Sequence, residues 1–409
     1  MKRRIITVFA AVLLVILTCS VFVSADENGG RIKQIDGKYY IYDDNGSLVE
    51  DTGVVSFDGE YYLVREGGLL ASGWYDDNGS KMYFSTETHA AVKGFKAIGR
   101  RKYYFGTDGV LQTYTGMKEI NGRKFFFKDD HSLMTGFVTY NGSTYYVASN
   151  FFTATGFTKI DGKTYYFGTD GKMLTSTGIV AVGNANYYFN SDHYLESGLK
   201  TIGGKTYYFD PSSYKMSTGL VTISGKQYLF SVDGAMFTGQ GLVETSDYYY
   251  VRTNNGDINA YKKTTAMQRV YNDCVAVYNS VGKNLYNCYL WVVNNVSYVT
   301  QGDNTTSDYT DSMYFSLPGF ESGQGDCRTY AGTIYWMGIF LGYEMHYVNG
   351  YVAVTNGQNE HSWVEYIDNN GTTYVIDPCF PVEMGGANGY MITYGASGTW
   401  VYQNYEWGT

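Results

Sequence analysis

The chain is first defined by what it lacks. Its 409 residues hold no HExxH motif and no cysteine pair at metal-ligand spacing, which argues against a metal site, and no cofactor is expected. Basic side chains are scarce, 30 Lys and Arg against 39 Asp and Glu, so a nucleic-acid partner is disfavoured because phosphate binding needs a basic surface. Beyond residue 25 no apolar run is long enough to cross a bilayer. Proline is also rare, four residues beside 50 Gly and 44 Tyr, a composition far from average that points to short strands and turns.

The one long apolar run, residues 5–23, follows Lys2, Arg3 and Arg4 and leads into Val23-Ser24-Ala25, the pattern of an export signal with a small-residue cleavage site. Residues 1–25 are therefore read as a signal peptide, with a retained membrane anchor as the alternative. Cys19 follows Thr18, where a lipidated cysteine would follow a small residue, and is taken as part of the signal. Removal of the signal leaves 27 basic against 39 acidic residues and a formal charge of −12.

Internal periodicity dominates residues 26–250. Gly53, Gly73, Gly94, Gly116, Gly136, Gly156, Gly178, Gly198, Gly219 and Gly239 recur every 20 to 22 residues, with aromatic clusters such as Tyr103-Tyr104, Phe125-Phe126 and Tyr165-Tyr166 between them. In the unit TGFTKIDGKTYYFGTDGKML, Phe157 and Ile160 sit on a short strand, Asp161-Gly162 forms a two-residue turn, and Thr164 to Phe167 return. A lone hairpin cannot bury its aromatic face, so about ten such units are expected to stack into an all-β hairpin solenoid.

The recurring GKTYYF and DGKMLTSTG text resembles the cell-wall or choline-binding repeats of Gram-positive surface proteins, and the similar repeats of glucan-binding proteins and clostridial toxins. That resemblance implies hairpins that hold glycans or choline, hence a cell-wall polysaccharide or host-glycan partner and a secreted or cell-surface location. A choline cage favours tryptophan faces, yet Trp74 is the only tryptophan in the array. No carbohydrate-binding residue can be named, and the bland alternative is a spacer whose tyrosines are all consumed by stacking.

After Tyr250 the repeat stops; residues 251–265 are polar enough to be a linker, and 266–409 form a separate α+β domain. Met267, Val270, Tyr271, Cys274, Val277 and Tyr278 mark one face of an amphipathic helix. A second apolar segment runs into a strand near Tyr298, and residues 301–312 read as a polar loop. Beyond Cys327, the residues Ala331, Ile334, Tyr335, Gly338 and Ile339 line a helical face that Gly342 would cap. Cys327 thus opens a helix behind the glycine-rich GQGD, where the helix dipole favours the nucleophilic thiolate.

A nucleophile needs a base, and a base needs an orienting group. In EHSWVEYIDNNGTTYVIDPCF, a hairpin turning at DNNG places His361 opposite Asp377 or Pro378, so imidazole and carboxylate can bond across the pair. Helix-borne Cys327, then HSWVEY, then YVIDP resembles the transglutaminase-like branch of the papain-type cysteine enzymes over about residues 266–394.

The resemblance implies that Cys327 attacks a protein or peptide amide and forms a thioester, that His361 moves the proton, that Asp377 fixes its tautomer, and that Trp363 packs beside the imidazole. The Cys327 N–H would serve the oxyanion, with Gln324, Trp291 and Tyr298 as candidates for the second donor. Protease, amidase and transglutaminase outcomes all remain open. DPCF departs from the Asp-Pro-Thr-Trp ending of related domains, so Cys379 could interfere by pairing, and a non-catalytic binding protein is the alternative. An even count of four cysteines after the signal leaves the pairing of Cys274, Cys288 and Cys379 open. His346 reads as an ordinary strand residue.

Overall fold

The computed structural model describes residues 31–300 and 310–408. The expected signal peptide, residues 1–25, lies outside the described residues. The chain divides between Leu174 and Thr175 into two compact units.

The first unit is built of hairpins. A five-stranded antiparallel sheet formed within residues 32–71 is followed by five two-stranded hairpins, from Gly73–Asp77 with Ser80–Phe84 to Gly156–Ile160 with Lys163–Phe167. The turn chemistry is the expected one: Ile160 pairs with Lys163, and Asp161 and Gly162 both take positive φ, 49° and 83°. From Gly73 to Gly219 each periodic glycine starts a strand directly opposite the last residue of the returning strand, as with Gly94 opposite Phe105, Gly116 opposite Phe127 and Gly156 opposite Phe167, whereas Gly239 starts none. Those phenylalanines are buried. The tail after each hairpin then reaches back to its predecessor: Leu111 N–H donates to the Lys81 carbonyl at 2.7 Å, and Met173 N–H to Thr144 at 2.7 Å. Stacking therefore satisfies backbone groups as well as burying rings.

The second unit begins with hairpins of the same kind, Gly178–Val182 with Ala185–Phe189 and Gly198–Ile202 with Lys205–Phe209, then a three-stranded sheet led by Gly219–Ile223. The stretch 251–265, expected as a linker, is ordered structure instead. Ile258–Lys262 adds a third strand beside Tyr248–Arg252, and Asn254 ties that sheet onward: its N–H donates to the Gly342 carbonyl and its Oδ1 accepts from the Glu344 N–H at 2.7 Å. Asn254 thus serves backbone groups, while Asn255, Asp257 and Lys262 stay exposed.

Five helices follow among the described residues. Helix α1 (Thr265–Val281) is capped by the Thr264 hydroxyl and buries Met267, Val270, Cys274, Val277 and Tyr278, the face legible in its periodicity. Helix α2 is Leu285–Asn295 and α3 is Asp311–Glu321. Of the expected polar loop 301–312, residues 301–309 lie outside the described residues, and Asp311 and Ser312 open α3, which carries Pro318 inside it and so disguises its pattern. Helix α4 (Cys327–Phe340) is buried nearly all round, not on one stripe, because α3, α2 and the sheet enclose it. Gly342, at φ 82°, closes it as expected.

The sheet has strands β1 (Met345–Val354), β2 (Gly357–Ile367), β3 (Thr373–Ile376) and β4 (Tyr402–Trp407), in the order β3-β2-β1-β4, all antiparallel. Helix α5 (Cys379–Glu383) follows β3. His346 lies on β1, stacked on Trp407 at 3.7 Å.

Candidate functional site

The GQGD turn is shaped for its place. Gly323 takes φ +63° with the Asn295 carbonyl where a Cβ would fall, and a Cβ on Gly325 would collide with Thr329 at about 2.2 Å. Gln324–Gly325 pairs in parallel with Ser297–Tyr298, which seats the turn. Asp326 then caps α4, its carboxylate accepting from the Arg328 N–H at 3.1 Å and pairing with the Arg328 guanidinium at 2.6 Å. Cys327 is the first residue of the helix, so its own N–H has no intrahelical acceptor.

The imidazole reaches this thiol from β2. His361 and Cys327 line the same cavity, and His361 Nε2 donates to Asp377 Oδ2 at 2.8 Å. The hairpin register differs from the expected one: Val364 pairs with Ile376, which moves the pairing centre to 370, and β3 ends before Asp377. His361 and Asp377 meet as a diagonal pair. A displacement of two residues preserves the face, since side chains alternate with period two, so the dyad survives the shift.

Asp377 is fully buried and saturated with donors. Oδ1 accepts from the N–H groups of Cys379 and Phe380 at 3.1 and 3.2 Å, and Oδ2 also accepts the Tyr402 hydroxyl at 2.9 Å. Burial of His361 works against its charge, but the Asp377 charge and hydrogen bond, with the Cys327 contact, outweigh it and raise the imidazole pKa above its ordinary value. Trp400 packs edge-on against the imidazole at 4.5 Å. Trp363 lies beside it, rings 6.2 Å apart at 19°, fully buried, with Nε1 on the Tyr394 hydroxyl at 2.8 Å. The Tyr394 hydroxyl in turn bonds Glu365.

Thiol and imidazole face a cavity of about 800 Å³, lined also by Tyr298, Arg328, Tyr347 and Glu360. Of the three side chains expected near an oxyanion, this cavity includes Tyr298; Gln324 and Trp291 are not among its lining residues, and Trp291 packs on Phe320 instead. Burial pushes the Tyr298 hydroxyl up to about 12. Cys274, Cys288, Cys327 and Cys379 are all free. Cys379 is buried, its thiol pushed up by burial first and the Asp377 charge second. Tyr402, Trp400 and Glu383 gave no signal in the sequence: Glu383 ends the short helix α5, Tyr402 begins β4, and the irregular chain between them, which holds Trp400, has no periodicity; burial raises the Glu383 carboxyl, which sits near the dyad.

The repeats present a second cavity, about 470 Å³, among Phe95, Lys102, Arg123, Phe125, Phe151 and Phe152. Lys102 lies 4.9 Å from the Phe151 ring centre and 5.7 Å from Phe95, and Arg123 lies 4.5 Å from Phe152. The chain's own cations thus cover these ring faces.

Comparison with known proteins agrees with this architecture. A choline-binding repeat model matches residues 154–193, a putative cell wall binding repeat matches 135–150 and 197–212, and the transglutaminase-like superfamily model matches 268–378. The chain joins cell-wall-binding repeats to a transglutaminase-like domain. Among curated relatives of these repeats, Glucosyltransferase-S of Streptococcus mutans serotype c is 34% identical over 106 residues, 25% of this chain and 7% of the relative. Toxin B of Clostridioides difficile is 31% identical over 70 residues, 17% of this chain and 3% of the relative. The chain therefore spans under a tenth of either relative. Among solved structures, choline binding protein F from Streptococcus pneumoniae is 26% identical, covering 51% of this chain and 87% of its own, with a TM-score of 0.40. The modular autolysin LytC from Streptococcus pneumoniae is 18% identical, covering 51% and 52%, with a TM-score of 0.28.

Proposed function

We propose that the protein is an exported, surface-docked thiol enzyme that opens amide bonds through a thioester on Cys327. One observation carries this reading: a thiol at a helix N-terminus lines one cavity with an imidazole that a buried carboxylate holds through Nε2.

In this reading the Cys327 sulfur, as thiolate beside the imidazolium of His361, adds to the amide carbonyl carbon. The carbonyl π pair moves onto oxygen, where the Cys327 N–H and the Tyr298 hydroxyl are the proposed donors. Collapse reforms the carbonyl and breaks the C–N bond, and the His361 proton leaves with the amine. Water or a second amine then gives a proton to His361 and attacks the thioester; the C–S bond breaks and thiolate is restored beside imidazolium. Asp377 keeps Nε2 protonated and stabilises the positive ring throughout, without itself taking the proton. Hydrolysis and transfer differ only in the nucleophile that reaches the thioester.

The repeats would hold the enzyme to a wall or host glycan and raise the local concentration of its substrate by tethering. Because Lys102 and Arg123 cover the ring faces of the 470 Å³ cavity, contact through sugar rather than through choline is the proposed mode there.

The test is intact-mass detection of an acyl adduct after mixing with an activated acyl donor, with and without a labelled primary amine. An adduct mapped to Cys327, lost in Cys327→Ala, is expected. Amide turnover by Cys327→Ala equal to that of the parent would sink the proposal.

A further inference from the structure

Charge is unevenly placed along this chain. Residues 26–265 hold 24 basic and 26 acidic side chains, close to balance, whereas residues 266–409 hold 13 acidic side chains and three basic ones, Arg269, Lys283 and Arg328. Nearly all of the protein's net negative charge therefore belongs to the part that carries Cys327.

The Cys327 cavity concentrates this imbalance. Four carboxylates line it, Asp311, Asp326, Glu360 and Glu406, against one lysine or arginine, Arg328. That arginine is committed: its guanidinium pairs with Asp326 at 2.6 Å and lies 4.2 Å from the Phe315 ring centre. Asp311, Glu360 and Glu406 have no ion-pair partner among the described residues, and the neighbouring sequence 301–309 contains no lysine or arginine. Glu360 immediately precedes His361 on β2, and Glu406 lies across from Asn349 on β4, so carboxylates flank the thiol from the strand side while Asp311 approaches from the start of α3. Glu360 and Glu406 are exposed at the rim. A cleft lined by one sign of charge focuses its field and enriches ligands of the opposite sign.

We propose that this cavity selects a cationic polypeptide, an amide flanked by lysine or arginine, and disfavours acidic substrates. The proposal rests on the reading of Cys327 as a nucleophile and adds to it the class of substrate. Glu360 and Glu406 are the specificity-determining residues: they accept the substrate's cations and take no part in the bond changes at sulfur.

The experiment reads the field at the thiol without requiring turnover. The full chain is treated at low ionic strength with three methanethiosulfonate reagents of similar size, bearing a trimethylammonium group, no charge, or a sulfonate. Modification of Cys327 is followed by peptide mass, and each rate is divided by that reagent's rate with 2-mercaptoethanol. The normalised order cationic, neutral, anionic is expected, with an end-to-end ratio of about tenfold or more that shrinks as salt is added. The Glu360→Gln/Glu406→Gln double variant should bring the ratio towards one while the neutral reagent's rate stays the same. A normalised ratio near one in the parent, or one unchanged in the double variant, overturns the proposal and leaves the thiol reading standing. A Cys327 that reacts with none of the three reagents removes both.

Discussion

The Tyr402 hydroxyl donates to Asp377 Oδ2 at 2.9 Å, the same oxygen that receives His361 Nε2 at 2.8 Å. Two donors on one buried oxygen fix the direction of the carboxylate, and with it the plane of the imidazole. Tyr402→Phe keeps the ring and deletes one bond to a charged group, so a loss of about 1.5–3 kcal/mol is expected, read as a lower urea midpoint at unchanged slope.

The pH dependence of stability follows from the same dyad. The His361 pKa is raised in the folded protein, because the Asp377 charge and hydrogen bond outweigh the opposing effect of burial. A raised pKa means the folded state holds the proton more tightly than the unfolded one. Its stabilisation is therefore whole below about pH 6.5 and is lost as pH climbs through the folded value. Melting temperatures across this range should show a gap between the parent and Asp377→Asn that narrows towards alkaline pH. A constant gap would count against the ion pair.

Thiol counting separates the cysteines. Cys274, Cys288 and Cys379 are buried, and burial raises each of their pKa values, whereas Cys327 is only partly buried and lines a cavity. Brief treatment of the native protein with iodoacetamide should label Cys327 alone among these four, and denaturant should release the other three. His361→Asn should slow the native labelling.

Trp363 links packing to polarity. It is fully buried, and its Nε1 donates to the Tyr394 hydroxyl, which bonds Glu365. Trp363→Ala should cost about 3–5 kcal/mol through the cavity it leaves. Trp363→Phe keeps most of the volume and should cost about 1–3 kcal/mol through the lost donor. Equal losses in denaturant titration would refute this division.

In the repeats, Lys102 and Arg123 already cover the faces of Phe151, Phe95 and Phe152. Millimolar free choline is expected to leave the protein bound to a wall preparation, measured by cosedimentation. Complete release by choline would reverse the proposed mode of contact.

Much of this could be read from residue order. The glycine period announced the hairpins because each closes over a two-residue turn, as Asp161-Gly162 does. The α1 face followed from Met267, Val270 and Cys274 at helical spacing, and the glycine-rich turn marked Cys327 as a helix start. Helix α3 escaped because Pro318 interrupts its pattern, and the pairing centre of the β2–β3 hairpin was displaced by a five-residue turn in which Asp368 bonds Thr372. Tyr402 and Trp400 gave no signal, since their approach to Asp377 and His361 depends on the path of residues 384–401.

The primary structure alone settled whatever is local: the turns, the alternation of faces, the helix that begins at residue 327. Those features are satisfied by neighbours a few positions away, so short-range chemistry suffices to specify them. The folded chain alone decided that the sulfur at 327, the ring at 361 and the carboxylate at 377 converge, and that Tyr402 and Trp400 complete their surroundings. Such meetings join segments well separated along the chain, and the burial of α4 against the sheet brings the sulfur and the ring to one cavity.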